Sequence, residues 1–330
     1  MNDTLETRVP LFSLDRRKST ILRGIAILYV ILGHAGYLAW GGAGGVALFL
    51  LLSGYGLDRS CQAKGLEDFW KKRALRVWLP YLPVGLFNVL VLRVTWLPQT
   101  ACTLLGLDLC RNVDKSMWYI SFILFWYLVF YAAVLLTRRI ENVRLRESAK
   151  LALLLLGAGA AFVMSRFLIW SGSSGARNYV LLFPLGVALS VFGRIEVKEK
   201  LRRLLWAGVF FLASAYMVIS YGMTPWTWKY ALFMALQILA PSQLLQLGGG
   251  AERLLRWCGE YSYPMYLIEM TMLDNRAKWL GMLELQPLID LACLLLTALF
   301  AFAYWQCWKQ LEELLTARRG RTIHNTENTT

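Results

Sequence analysis

An arginine and a histidine stand at the two ends of an otherwise apolar stretch, Arg23-Gly-Ile-Ala-Ile-Leu-Tyr-Val-Ile-Leu-Gly-His34. Imidazole takes up and gives back a proton near neutral pH, so His34 can serve as a general base or a transient acyl carrier. Guanidinium is a permanent cation that holds carboxylate or phosphate through paired hydrogen bonds. An α-helix turns by about 100° per residue, so the spacing from Arg23 to His34 makes three turns plus about 20°. Both side chains then lie on one face, about 16 Å apart along the axis. With Arg23 at one interface of a bilayer, His34 lies near mid-membrane, where an ionisable group marks a functional site. The competing reading is a histidine that bonds neighbouring helices together.

Other residues extend this face. Gly41-Gly-Ala-Gly-Gly45 opens the next apolar span, which continues through Val46, Phe49, Ser53 and Gly54. Glycines there let the span press against the His34 helix, so that small residues line a cavity and Ser53 donates a hydrogen bond. Tight helix packing alone would account for them equally well. Lys71-Lys72-Arg73-Ala-Leu-Arg76 follows. Arg73 and Arg76 are neighbours on one helical face. With Arg23 they form a phosphate-binding mouth, or else they are anchors to anionic headgroups. Glu269, inside a later apolar span, is a candidate carboxylate partner for the imidazole. Trp118, Tyr119, Asp114 and Trp226 are candidates for the opposite mouth, although aromatic residues also belt membrane interfaces.

The elements that must hold these groups are membrane spans. The 330-residue chain is 57% hydrophobic and only 17% charged, unlike a soluble domain. Ten apolar spans are expected, at about 20–40, 42–58, 75–96, 117–137, 151–170, 179–193, 204–222, 229–248, 259–274 and 287–308. The ninth carries Pro264 and Glu269 and is expected to be broken or tilted. With the N-terminus inside, most of the 35 Lys and Arg residues fall in inner segments. The outer loops then hold Arg93, Arg111, Lys115, Arg166, Arg177, Lys229, Arg276 and Lys278. This asymmetry places both termini in the cytoplasm. The expected division is a cytoplasmic segment at 1–19, a transmembrane domain at 20–308 and a cytoplasmic tail at 309–330. No cleavable signal peptide is expected in the polar, basic first eighteen residues.

The net charge of +14 sits in short loops between spans, which excludes a nucleic-acid reading. The only histidines are His34 and His324, so a multi-histidine metal site is excluded. The six cysteines form no C-x-x-C pair, and Cys102 and Cys110 share one loop that allows a disulfide in an oxidising compartment.

The Arg-x10-His arrangement, Gly45-Val46, Phe49, Ser53-Gly54 and Phe69-x3-Arg73-x2-Arg76 resemble the acyltransferase-3 family of membrane O-acyltransferases. Trp118-Tyr119-Ile120, Phe183-Pro-Leu-Gly186 and Tyr261-Ser-Tyr-Pro-Met-Tyr-Leu267 add looser echoes. The resemblance implies an all-α bundle of about ten transmembrane helices in a bacterial cytoplasmic membrane. It implies transfer of an acyl group, usually acetyl from acetyl-CoA, to a hydroxyl of an extracytoplasmic glycan or its lipid-linked precursor. His34 would be the catalytic residue, and Arg23, Arg73 and Arg76, with Lys72 beside them, would bind acyl-CoA. No metal is implied. The chain departs from the pattern at Glu269, where members often have histidine, and at Ser121-Phe-Ile-Leu, where some have glutamates. A transporter or flippase of glycan precursors is the alternative from a different class, because it too would place ionisable groups at the midplane. A structural partner in glycan assembly is the third.

Overall fold

The computed structural model describes residues 7–38, 41–91, 96–107, 115–167, 175–220, 227–276, 280 and 285–327, with side chains up to residue 313. The described chain is helical apart from one two-stranded ribbon. Its helices are α1 (Arg16–His34), α2 (Gly41–Lys64), α3 (Phe69–Val91), α4 (Leu97–Leu105), α5 (Trp118–Thr137) and α6 (Val143–Phe167). Then come α7 (Leu182–Phe192), α8 (Glu199–Ser220), α9 (Trp228–Leu239), α10 (Gly249–Glu260), α11 (Ser262–Asp274) and α12 (Gln286–Glu327).

Six of these, α2, α3, α5, α6, α8 and α12, are long and apolar enough to cross a membrane. Helix α1 carries Arg16, Arg17, Lys18 and Arg23 within its 19 residues, while α7, α9 and α11 are shorter than the usual span. The long helices leave large apolar side chains uncovered, such as Leu136, Leu156, Phe211 and Val218. That surface is suited to lipid tails.

Helix α1 is the hub and packs against α2, α10 and α11, while α2 also packs against α7. It starts where Asp15 accepts a hydrogen bond from the Lys18 amide at 2.6 Å, an N-cap. The α1–α2 contact is close because of Gly45: a Cβ there would lie 2.3 Å from the Ala26 carbonyl oxygen. Behind α2 the core is aromatic, with Trp126 of α5 stacked on Phe183 of α7 at 5.1 Å.

One end of the bundle is tied by polar contacts. Strand β1 (Arg8–Pro10) pairs antiparallel with β2 (Glu196–Lys198), Arg8 opposite Lys198. The Trp206 indole donates to the Leu11 carbonyl at 2.7 Å. Arg17 pairs with Glu252 of α10 through Nε at 2.5 Å. At the junction of α2 and α6, Lys150 lies 2.6 Å from Asp58, with both side chains buried.

Two spans differ in detail from expectation. Pro264 does not break its helix, because it is the third residue of α11, where no intrahelical amide bond is lost. The break falls earlier, at Tyr261 between α10 and α11. Helix α12 also runs on beyond residue 308, through Glu327.

Candidate active site

Helix α1 was expected to continue to about residue 40 with His34 inside it. Instead it ends at His34. The chain reverses through Ala35–Leu38, with Gly36 in the left-handed region at φ +91°. It returns so tightly that a Cβ on Gly33 would lie 2.1 Å from the Gly42 amide nitrogen. The imidazole therefore sits at a helix terminus beside a reversal, and its side chain is 31% exposed rather than sealed in a span.

Glu269 lies 235 residues away in sequence, yet its Oε1 is 2.8 Å from His34 Nδ1. Its side chain is fully buried in α11. A carboxylate only accepts hydrogen bonds, so Nδ1–H donates to it, and in the neutral ring the lone pair is then on Nε2. The Nε2 edge faces α2, where a Cβ on Gly42 would lie 3.3 Å from it. A side chain at Gly42 would crowd that edge. A cavity of about 210 Å³ lies here, walled by Gly33, His34, Gly42, Trp118, Tyr119 and Tyr266 among others.

A second cavity of about 200 Å³ lies further along α1 and is lined by Arg23, Arg76, Ser53, Tyr127 and Tyr263 among others. Arg23 reaches back to the Ser19 carbonyl at 3.3 Å and the Thr20 hydroxyl at 3.4 Å. Among the described residues no carboxylate pairs with Arg23 or Arg76. Glu260 stands near enough to Arg23 to act on its charge without pairing with it, and two guanidiniums facing one space suit an anion. Ser53 is within side-chain hydrogen-bonding reach of Tyr119.

Arg73 and Lys72 are absent from this lining, although Arg73 touches Tyr127 of its wall. A π-turn, Ala74–Trp78, begins immediately after Arg73 and carries Arg76. A π-turn has more residues per turn than an α-helix, so the three-residue neighbour relation no longer follows from spacing alone; such turns recur at functional sites. Arg76 turns into the cavity. The Arg73 guanidinium instead stacks over Tyr127 at 5.2 Å and Phe69 at 5.8 Å, with a buried Nε that has no hydrogen-bond partner. Lys72 is outside the cavity lining and bonds the Glu67 carbonyl at 2.9 Å.

The two cavities share three wall residues: Val46, Tyr119 and Tyr266. Arg23 and His34 thus look into adjoining chambers, as their helical spacing requires. A profile described as an acyltransferase domain, Acyl_transf_3, matches residues 16–306. The chain belongs to the acyltransferase-3 family. It is a membrane acyltransferase, and the matched region runs from the first residue of α1 into α12, so both chambers lie within the family's domain. No curated protein matches the chain. No solved structure matches it.

Within this acyltransferase domain Gly42 and Val46 lie in the glycine-led span expected to line a cavity, whereas Tyr263 and Tyr266 carried no expected role beyond the Tyr261–Leu267 echo. A signal for α11 was present: Tyr263, Tyr266 and Glu269 recur every three residues, a polar-tipped stripe on an apolar helix. Asp114, Trp226 and Cys110 lie outside the described residues. Among the described residues no three His, Cys, Asp or Glu side chains gather as a metal site.

Proposed function

We propose that this acyltransferase takes an acyl group, acetyl in the simplest case, from cytoplasmic acyl-CoA. It delivers that group to a hydroxyl of an extracytoplasmic glycan or its lipid-linked precursor. The observation that carries the reading is the His34–Glu269 pair, with His34 lining a chamber that adjoins the Arg23–Arg76 chamber.

Arg23 and Arg76 hold the donor's phosphates, and the pantetheine arm runs along α1, whose rise from Arg23 to His34 is about 16 Å. The Nε2 lone pair takes the proton of the acceptor hydroxyl as its oxygen attacks the thioester carbonyl. The C–S bond breaks, and the departing thiolate of CoA takes the proton back. Glu269 holds the ring by Nδ1 and stabilises the imidazolium between these steps. Trp118 and Tyr179, stacked at 5.5 Å, offer the aromatic wall that a sugar's apolar face packs against.

Ten crossings are supported by the six long helices together with α1, α7, α9 and α11, with α4 and α10 in the connections. Cytoplasmic termini are supported by the basic segments near β1, β2 and α10, which meet at one end. The transmembrane acyltransferase domain then covers about 20–308, between segments 1–19 and 309–330, in a bacterial cytoplasmic membrane.

The test is thioester turnover. The purified full chain in lipid should release free CoA from acetyl-CoA, and His34→Ala should abolish that release. Mass spectrometry of surface glycans should lose an acetyl mark in the same variant. Turnover that survives His34→Ala would defeat the proposal.

A further inference from the structure

Between the two chambers, four helices each change the space they face within a turn or so. On α1, Val30 lines the Arg23 chamber and Gly33 the His34 chamber. On α2, Phe49 and Ser53 face the first, Gly42 and Ala43 the second, and Val46 both. On α5, Ile123 and Tyr127 face the first, Trp118 the second, and Tyr119 both. On α11, Ser262 and Tyr263 face the first, Tyr266 faces both, and Glu269 reaches His34. The order is the same on every helix, so Val46, Tyr119 and Tyr266 stand where the two chambers adjoin.

We infer that Val46, Tyr119 and Tyr266 form a throat and, as walls of the His34 chamber beyond it, select the acyl chain by length, seating short acyl groups beside His34 and excluding longer ones. This rests on the acyl-CoA reading above. The throat is stiff. The Tyr119 and Tyr266 rings meet edge to face at 5.5 Å. The Tyr266 hydroxyl donates to the Ser116 carbonyl, and Tyr119 is within reach of Ser53. An aromatic ring anchored at its hydroxyl, as Tyr266 is, cannot swing aside without losing that bond.

Donor phosphates at Arg23 and Arg76 and a base at His34 leave the thioester one route, through this throat. At the moment of attack the carbonyl carbon must lie about 3–3.5 Å from the acceptor oxygen. The acyl tail has then passed the throat and shares about 210 Å³ with the acceptor hydroxyl. Each added methylene must fit the same space, and a close-packed site discriminates by about 10- to 200-fold per methylene. Val46, Tyr119 and Tyr266 wall that space too, so they touch the acyl chain there and determine specificity; none of them moves a proton.

The experiment uses membranes that carry the full chain and its endogenous acceptors. They are supplied with acetyl-, butyryl- or hexanoyl-CoA, and the free CoA thiol is read after subtraction of His34→Ala membranes. Wild type is expected to favour acetyl-CoA over hexanoyl-CoA by at least about 100-fold in kcat/KM. Val46→Ala and Tyr119→Leu should each raise the hexanoyl-to-acetyl ratio by about tenfold or more. Val46→Phe narrows the throat and should suppress turnover of every donor, while binding of a radiolabelled CoA to the Arg23 chamber persists. A wild type that uses all three donors equally, or widened variants with the wild-type ratio, overturns the throat and leaves the acyltransferase reading standing. A wild type that releases no CoA above the His34→Ala background overturns the underlying reading instead.

Discussion

Nδ1 of His34, the last residue of α1, lies 2.8 Å from Oε1 of Glu269, a wholly buried carboxylate in the middle of α11. The pair joins two helices far apart in sequence and holds the imidazole at the cavity wall. Positioning and charge stabilisation of this kind carry a large share of imidazole base catalysis. Glu269→Gln keeps the shape and removes the charge, so acetyl-CoA turnover should fall by about 10²- to 10⁴-fold. The same change made on a His34→Ala background should alter the residual rate by less than about threefold, because the two residues act as a unit. Independent, multiplying losses would show that Glu269 acts elsewhere.

Gly42 leaves the space beside Nε2. A Cβ there would stand 3.3 Å from Nε2 and from Cδ2, closer than ordinary contact. Gly42→Ala should reduce turnover by about tenfold and Gly42→Val by about 10²-fold or more, since small displacements of reacting groups are costly. The KM for acetyl-CoA should hold within about twofold, because Gly42 is absent from the wall of the Arg23 chamber. Steady-state kinetics of protein with an unchanged melting temperature would check both statements.

Of the cations in the Lys71–Arg76 segment, Arg76 faces the chamber that Arg23 faces. Hydrogen bonds to a charged group contribute about 1.5–3 kcal/mol. Arg76→Ala should therefore raise the KM for acetyl-CoA by about 10- to 100-fold. Lys72→Ala should change it by less than about twofold, because its ammonium is engaged with the Glu67 carbonyl outside the cavity. Comparable defects in the two variants would mean that the donor approaches by another route.

The pairing of Arg17 with Glu252 links α1 to α10, and the Arg17 guanidinium holds the Glu252 carboxyl below the ordinary range. A depressed folded value stabilises the protein above the unfolded pKa, about 4.3, and this contribution is lost as the pH falls through the folded value. Wild type should therefore lose melting temperature more steeply than Glu252→Gln between pH 5 and pH 3, about. The difference should be small, because the Arg17 side chain is half exposed and solvent screens the pair. Melting curves in one detergent across that range would decide it; parallel curves would show that the pair contributes nothing.

The sequence by itself determined what depends on near neighbours. Helical periodicity placed Arg23 and His34 on one face, and the length of the apolar runs marked the six long helices before any contact was known. The glycine run at 41–45 announced a close approach between α1 and α2, because only a residue without Cβ lets backbones meet. The tertiary structure decided what depends on distant partners or on local departures from helical geometry. It joined Glu269 to His34, a contact that sequence proximity could not specify. It stopped α1 at His34, because Gly33 and Gly42 let the chain fold back on itself there. It set a π-turn directly after Arg73, which no periodicity of 3.6 foretells. It also brought Val46, Tyr119 and Tyr266 to where the two chambers adjoin, since a wall shared by three helices exists only once those helices are packed.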